Sequence, residues 1–353
     1  MKKAVLFKVL IAAALCGAAA SAAMAAAPSA VARRAGSSFP AGPSRLTLVE
    51  DAGAGTLTVR EGSTAVLTYR FGDKIPAGAD PRYIRSCYIH PLYALDGEVL
   101  TDDSPRDHFH HHGLFWGWPV VMTRGLKTSN WEPAVPPLRQ RFTRWLKREV
   151  RDGEARIVAE NAWKLGSGKG EVVAVETVTI FVHPADGGSR AIDMELVIRP
   201  VGGPLELRGA PEENKGYGGL CLRGAPLFKG AALTTDLGPL ETDAVNRRLH
   251  WADLSAPGLG VAIFVAPGHP GDPVAWLVRN SYAGILNPSW PALEGAVVTP
   301  DKPAALRYRV FVHRGDAAAG GVKEAYERYA AAEDKKPYAP APAAGLLKLR
   351  EGD

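Results

Sequence analysis

The sequence predicts an all-β fold, a large antiparallel β-sandwich followed by one C-terminal helix. Three observations predict it. Apolar and polar residues alternate with a two-residue period over most of the chain, which presents one face of each strand to a core. Asp-Gly pairs punctuate these runs, where glycine supplies the positive φ of a tight hairpin turn. Finally, 38 glycines and 28 prolines in 353 residues favour many short strands joined by turns over long helices. With 46% hydrophobic and 22% charged residues, the chain has the means to build an ordinary core.

The elements follow in chain order. Lys2, Lys3 and Lys8 precede an alanine-rich apolar run ending in Ala23-Met24-Ala25, so residues 1–25 read as a secretory signal peptide. Export to the periplasm or the medium is therefore expected. Leu15 is too bulky for the small residue a lipoprotein signal needs before Cys16. Residues 26–45 are Ala, Ser, Gly, Pro and Arg without periodicity and read as a flexible lead-in. A single strand-rich domain is expected over residues 46–335. Its alternation shows at Leu57 and Val59, at Val66 to Phe71, at Val172 to Val182, and most clearly at Ile192, Met194, Leu196 and Ile198. It continues at Val261 to Val265, Val274 to Val278 and Leu306 to Val312. Turns are expected at Asp96-Gly97, Asp152-Gly153 and Asp186-Gly187-Gly188, and at Gly166-Ser167-Gly168-Lys169-Gly170, whose spacing does not fit a phosphate loop. Val322, Ala325, Tyr326 and Tyr329 recur at helical spacing. The Pro/Ala-rich residues 336–353 read as a tail.

Charge narrows the function classes. The formal charge of +5 includes the three leader lysines. What remains is close to balance, with no Lys/Arg run or interleaved aromatic stripe, so a nucleic-acid partner is not expected. Beyond the leader no stretch reaches the roughly 18 apolar residues of a membrane helix. Cys87 and Cys221 could pair in an oxidising compartment or stay buried thiols.

The chemistry concentrates in Asp107-His108-Phe109-His110-His111-His112-Gly113, which holds four of the nine histidines. On an extended backbone His108, His110 and His112 share a face, and His-x-His can offer two imidazoles to one divalent metal. Alternatively, imidazoles tuned by Asp107 could move protons as general acid and base. A polar loop held in shape by its histidines is the plain reading. The following Leu114-Phe115-Trp116-Gly117-Trp118 run suits a core strand. His-Glu-x-x-His and Gly-x-Ser-x-Gly are absent, which removes the common zinc-protease and serine-hydrolase signatures. A cupin would need a glutamate where Phe115, Trp116 and Gly117 stand.

His90-Pro91-Leu92, Thr101-Asp102-Asp103 and the histidine block resemble the exported PmoA-like domain family, also called methane oxygenase PmoA. Its Asp-His-Pro-His-His-Arg-Gly motif is matched at Asp107, His108, His110, His111 and Gly113, and departed from at Phe109 and His112. Asn214 to Arg223 and Leu306 to His313 are further matching blocks, and the resemblance spans His90 to Tyr329. It implies a β-supersandwich similar to the galactose mutarotase fold, with histidines and carboxylates acting on a sugar. Methane chemistry does not follow, since methane monooxygenase subunits sit in membranes. The expected catalytic residues are thus His90, Asp107, His108, His110 and His111. His108, His110 and His111 are also the candidate ligands of one divalent metal. Trp118, Glu176, Lys215 and Arg223 are the candidate substrate contacts, with Trp163 and Trp290 as further aromatic surfaces. Glu176 and Arg223 are expected at outward strand positions. His183, His250, His269 and His313 stand alone and receive no role. The alternatives to an enzyme on carbohydrates are a sugar- or metal-binding sandwich module and an oxygenase-associated copper protein.

Overall fold

The computed structural model describes residues 46–281 and 283–333. The leader, the lead-in and the tail lie outside the described residues. Within them the chain forms two nine-stranded sheets and one four-stranded sheet, followed by the helix Val322–Glu333. Neighbouring strands pair antiparallel, as in Glu171–Val182 against Ser189–Pro200 and Leu138–Arg151 against Glu154–Leu165. The fold is all-β, as the alternation and turn chemistry predict.

The predicted turns close hairpins where expected. Asp152 and Gly153 adopt φ of 53° and 81° and link two of the longest strands with a two-residue loop. The Gly166–Gly170 run joins Glu154–Leu165 to Glu171–Val182 and is a hairpin turn. In Ser189–Pro200, Ile192, Met194, Leu196 and Ile198 are all buried.

The main apolar core lies between the two large sheets. It combines Leu67, Ile89, Trp116 and Leu220 of one with Ile157, Val178, Leu196 and Val310 of the other. A second cluster seats the helix: Val322, Ala325 and Tyr329 pack on Phe264 and Phe311. A third joins Tyr88, Phe115, Trp131, Cys221, Leu277 and Ile285. That third cluster explains why Leu114–Gly117 and Gly219–Arg223 are buried at every position. Trp116 and Leu220 feed the sandwich core, while Phe115 and Cys221, on the opposite parity, feed the third cluster. The histidine loop lies against this second face.

Candidate active site

Residues 105–112 do not extend as a strand. His108 N–H donates to the Pro105 carbonyl and His111 N–H to the His108 carbonyl, both at 2.9 Å, so two successive turns replace the expected alternation. His108, His110 and His111 therefore gather, with ring centroids 4.8 Å (His108 to His111), 4.6 Å (His110 to His111) and 5.7 Å (His108 to His110) apart. His112, expected on their face, is bound elsewhere. Gly113 allows the loop to enter the sheet, because a Cβ there would stand 2.3 Å from the Ile89 carbonyl oxygen.

Arg223, which ends the strand paired to Leu114–Gly117, reaches His111: its Nη1 lies 3.3 Å from the His111 Nδ1. A guanidinium can only donate, so this ring nitrogen accepts, and the His111 proton sits on Nε2. Burial, then His110 and Arg223, hold the His111 pKa well below the usual imidazole value. Burial, then His108, lower that of His110 to about 4. Both rings are neutral at neutral pH.

His112 belongs to a separate network that the sequence did not reveal. Its Nδ1 lies 2.8 Å from Asp103 Oδ1, and both side chains are almost fully buried. Asp103 also accepts from Lys74 Nζ at 2.6 Å, the Tyr88 hydroxyl at 3.1 Å and the Ser104 hydroxyl at 3.1 Å. Burial would raise this carboxyl, but His112 and Lys74 outweigh burial and hold it well below the carboxylate range. Burial lowers His112 to about 4 against the pull of Asp103. The pair is therefore a carboxylate and a neutral imidazole with its proton fixed on Nδ1, which leaves the Nε2 lone pair. Thr101-Asp102-Asp103 stood in the matched sequence blocks, and that was the available signal.

His110 and His112 both line an open cleft whose other walls include Tyr83, Arg85, Glu132 and Gln140. Its volume of about 50 Å³ has room for a few waters and not a sugar ring, so a saccharide would lie across the mouth. Tyr83 is half-buried and packs on Phe109 at 5.6 Å, giving the mouth an aromatic wall. Burial, then Glu212, raises the Glu132 carboxyl. The cleft thus offers two neutral imidazoles as proton acceptors and one carboxyl biased toward its acid form.

The other expected residues fall into three places. Asp107 is exposed and pairs with His108 at 2.9 Å, beside the trio. His90 is half-buried and its Nδ1 bonds the Thr101 hydroxyl at 3.0 Å. Lys215 pairs with Glu213 at 2.7 Å. Trp118 is fully buried, its Nε1 donating to the Trp290 carbonyl at 2.8 Å. Trp163 is buried as well, whereas Trp290 keeps 7% exposure. Glu176, expected outward, is fully buried and accepts from Gln140 Nε2, Asn161 Nδ2 and Trp163 Nε1 at 2.9–3.0 Å. It shares parity with the buried Ala174, Val178 and Ile180, which is the physical reason for the correction. Arg223, also expected outward, is buried because both faces of its strand are covered. Cys87 and Cys221 are separate, buried, free thiols.

Among the described residues no three His, Cys, Asp or Glu side chains are arranged to hold a metal ion, and no helix is long and apolar enough to cross a membrane.

Three comparisons place the chain among known proteins. The sequence profile of a family of unknown function, DUF6807, matches residues 56–327. No curated protein matches. Among solved structures, a heparinase III is similar with 11% identity and a TM-score of 0.37, covering 78% of this chain and 36% of its own. A candidate mutarotase of Salmonella typhimurium has 9% identity, a TM-score of 0.34 and coverage of 74% and 85%. A candidate aldose 1-epimerase of Klebsiella pneumoniae has 11%, 0.36, and 81% and 87%. This chain spans about a third of the heparinase. At such identities no site residue carries across.

Proposed function

The chain belongs to DUF6807, and we propose that it is an exported enzyme that acts on a carbohydrate or carbohydrate-derived substrate by histidine and carboxyl acid–base chemistry. One observation carries the reading: His110 and the Asp103-bound His112 line the same cleft as the Glu132 carboxyl. Proton abstraction needs a neutral base with an available lone pair, and proton return needs an acid held in its protonated form. The two rings supply the first, and Glu132, whose carboxyl is shifted upward by burial and Glu212, is the cleft carboxyl placed to take part in the second. His108 and His111 pack around His110, and burial, then His108, keeps charge off its ring. Tyr83 offers the aromatic surface on which a sugar lays its C–H face. The PmoA-like resemblance of the histidine block agrees with an exported sugar-related role and brings no oxygenase chemistry with it. Ligation of one divalent metal by His108, His110 and His111, the variant in which the trio carries the chemistry, would require His111 to give up Arg223 or its Nε2 proton, and no three such side chains are arranged to hold an ion among the described residues.

The test is a panel of mono- and oligosaccharides assayed with purified protein for anomer interconversion, epimerisation and chain cleavage. His110→Gln should lower turnover by about 10²–10⁴ while leaving the unfolding transition in place. Turnover equal in the parent and in His110→Gln would overturn the reading. Stoichiometric saccharide binding without any turnover would replace it by a binding module. Metal content measured by plasma emission, near one equivalent and lost in a His108→Ala/His111→Ala double variant, would select the metal-dependent form.

A further inference from the structure

We infer that the cleft is selective for anionic saccharides, and specifically for the carboxylate of a uronic acid residue. The inference rests on the sugar reading of this cleft and adds the substrate's charge. Three guanidiniums line the cleft, those of Arg82, Arg85 and Arg139, against one carboxyl, Glu132. The other polar rings in the lining are those of Tyr83, His110 and His112.

Arg85 is the decisive residue. It is half-buried, and its fork is held by the carbonyls of Asn130 and, at 2.7 Å, Trp116, with the Phe115 ring 5.7 Å from its central carbon. Its Nε is buried without a hydrogen-bond partner. Carbonyls and a ring orient a guanidinium without neutralising it. The Glu176 carboxylate, held in the interior by Gln140, Asn161 and Trp163, acts on Arg85 from the side away from the cleft and offsets part of its charge. An anion in the cleft would lie in the field of this oriented cation, which lines the cleft wall.

Arg82 and Arg139 extend the positive field to the mouth. Arg82 is exposed and lies over the Tyr83 ring at 5.3 Å. Arg139 is half-buried, with Arg141 as a like-charged neighbour. Arg141 is already paired with Asp73, which leaves Asp73 less able to compensate Arg139. A planar guanidinium fork matches a carboxylate in a bidentate manner, and this favours a uronate over a sulfate ester as the anion. A uronate would then present its ring to Tyr83 and its carboxylate to the arginines, and bring the ring carbon that bears the carboxylate, the most acidic C–H of such a sugar, toward His110 and His112.

Calorimetric titration of the full chain with oligogalacturonate, a neutral oligosaccharide of equal length and a sulfated one tests this. Oligogalacturonate should bind at least tenfold tighter than the neutral ligand, weaken as salt rises from 20 to 200 mM, and lose most of that preference in Arg82→Gln/Arg139→Gln. Equal affinity for the neutral ligand, or a double variant that keeps the full preference, overturns the inference. A preference for the sulfated ligand overturns the carboxylate assignment. The two readings fail separately: turnover of a neutral sugar that depends on His110 keeps the acid–base proposal and removes charge selectivity. Uronate binding with turnover indifferent to His110 does the reverse.

Discussion

Two Asp–His pairs in this chain share a contact distance and differ in setting, the first made through the ring Nδ1 and the second through Nε2. Asp103 and His112 lie 2.8 Å apart with side-chain exposures of 2% and 3%; Asp253 and His313 lie 2.8 Å apart at 0% and 0%. In the first pair His112 lines a cleft, and its Asp103 is shared with Lys74, Tyr88 and Ser104. The second is sealed. Its further side-chain hydrogen bond comes from Ser255, which donates to Asp253 at 2.5 Å, and the Phe311 ring stacks on His313. Gly260 and Gly320 close over the His313 ring so tightly that a Cβ on either would come within 2.3 Å of it. What separates the two pairs is that His112 borders a cleft while His313 borders only packed backbone and side chains.

The largest expected effect breaks the sealed pair. His313→Ala strands a buried carboxyl, whose pKa burial already raises, and should cost about 3–5 kcal/mol in urea unfolding. Saccharide binding per folded molecule should not change. A loss under about 1 kcal/mol would mean that the pair is not integral to the core. The cleft pair should behave in the opposite way. In His112→Gln, Asp103 keeps three donors, so the stability loss should stay within about 2 kcal/mol, while turnover falls about 10²–10⁴. A variant with full turnover and a collapsed transition would make His112 a second His313.

Acid sharpens the comparison. His110 and His112 have folded pKa values of about 4, below the 6.5 of the unfolded chain. Between these values the unfolded chain binds protons that the folded cleft refuses. Their contribution is therefore complete above pH 6.5 and declines as pH falls toward 4, by up to about 3 kcal/mol per ring. His183, raised by its hydrogen bond to Asp193, acts with the opposite sign, so the measurement is the difference in Tm between the parent and His110→Gln. The Tm of the parent should fall relative to that of His110→Gln from pH 7 to pH 4.5, and a constant difference would contradict a neutral cleft. The smallest effect is expected at Lys215→Ala, where an accessible ion pair with Glu213 is removed; Tm should move by no more than about 2 °C.

The strands were legible because a period of two survives wherever one sheet face is wet, as in Ser189–Pro200. The histidine trio was legible as a concentration of imidazoles but not as a shape. Turns at Pro105 to His111, fixed by backbone hydrogen bonds, reversed which rings share a side. Asp103 was quoted in a motif without a role, because its partners Lys74, Tyr88 and His112 come from separate segments. Glu176 carried its signal openly: it sits on the same parity as Ala174, Val178 and Ile180. A carboxylate among apolar neighbours suggests an outward position only until its three neutral donors are seen.

The most direct measurement is a side-by-side turnover assay of the parent, His112→Gln and His313→Gln on a saccharide panel that includes uronates, normalised to folded protein by near-UV circular dichroism. The expected result is at least a hundredfold loss in His112→Gln and parental turnover in His313→Gln. Equal turnover in all three, or no turnover of any saccharide by the parent, would contradict a working centre at the cleft.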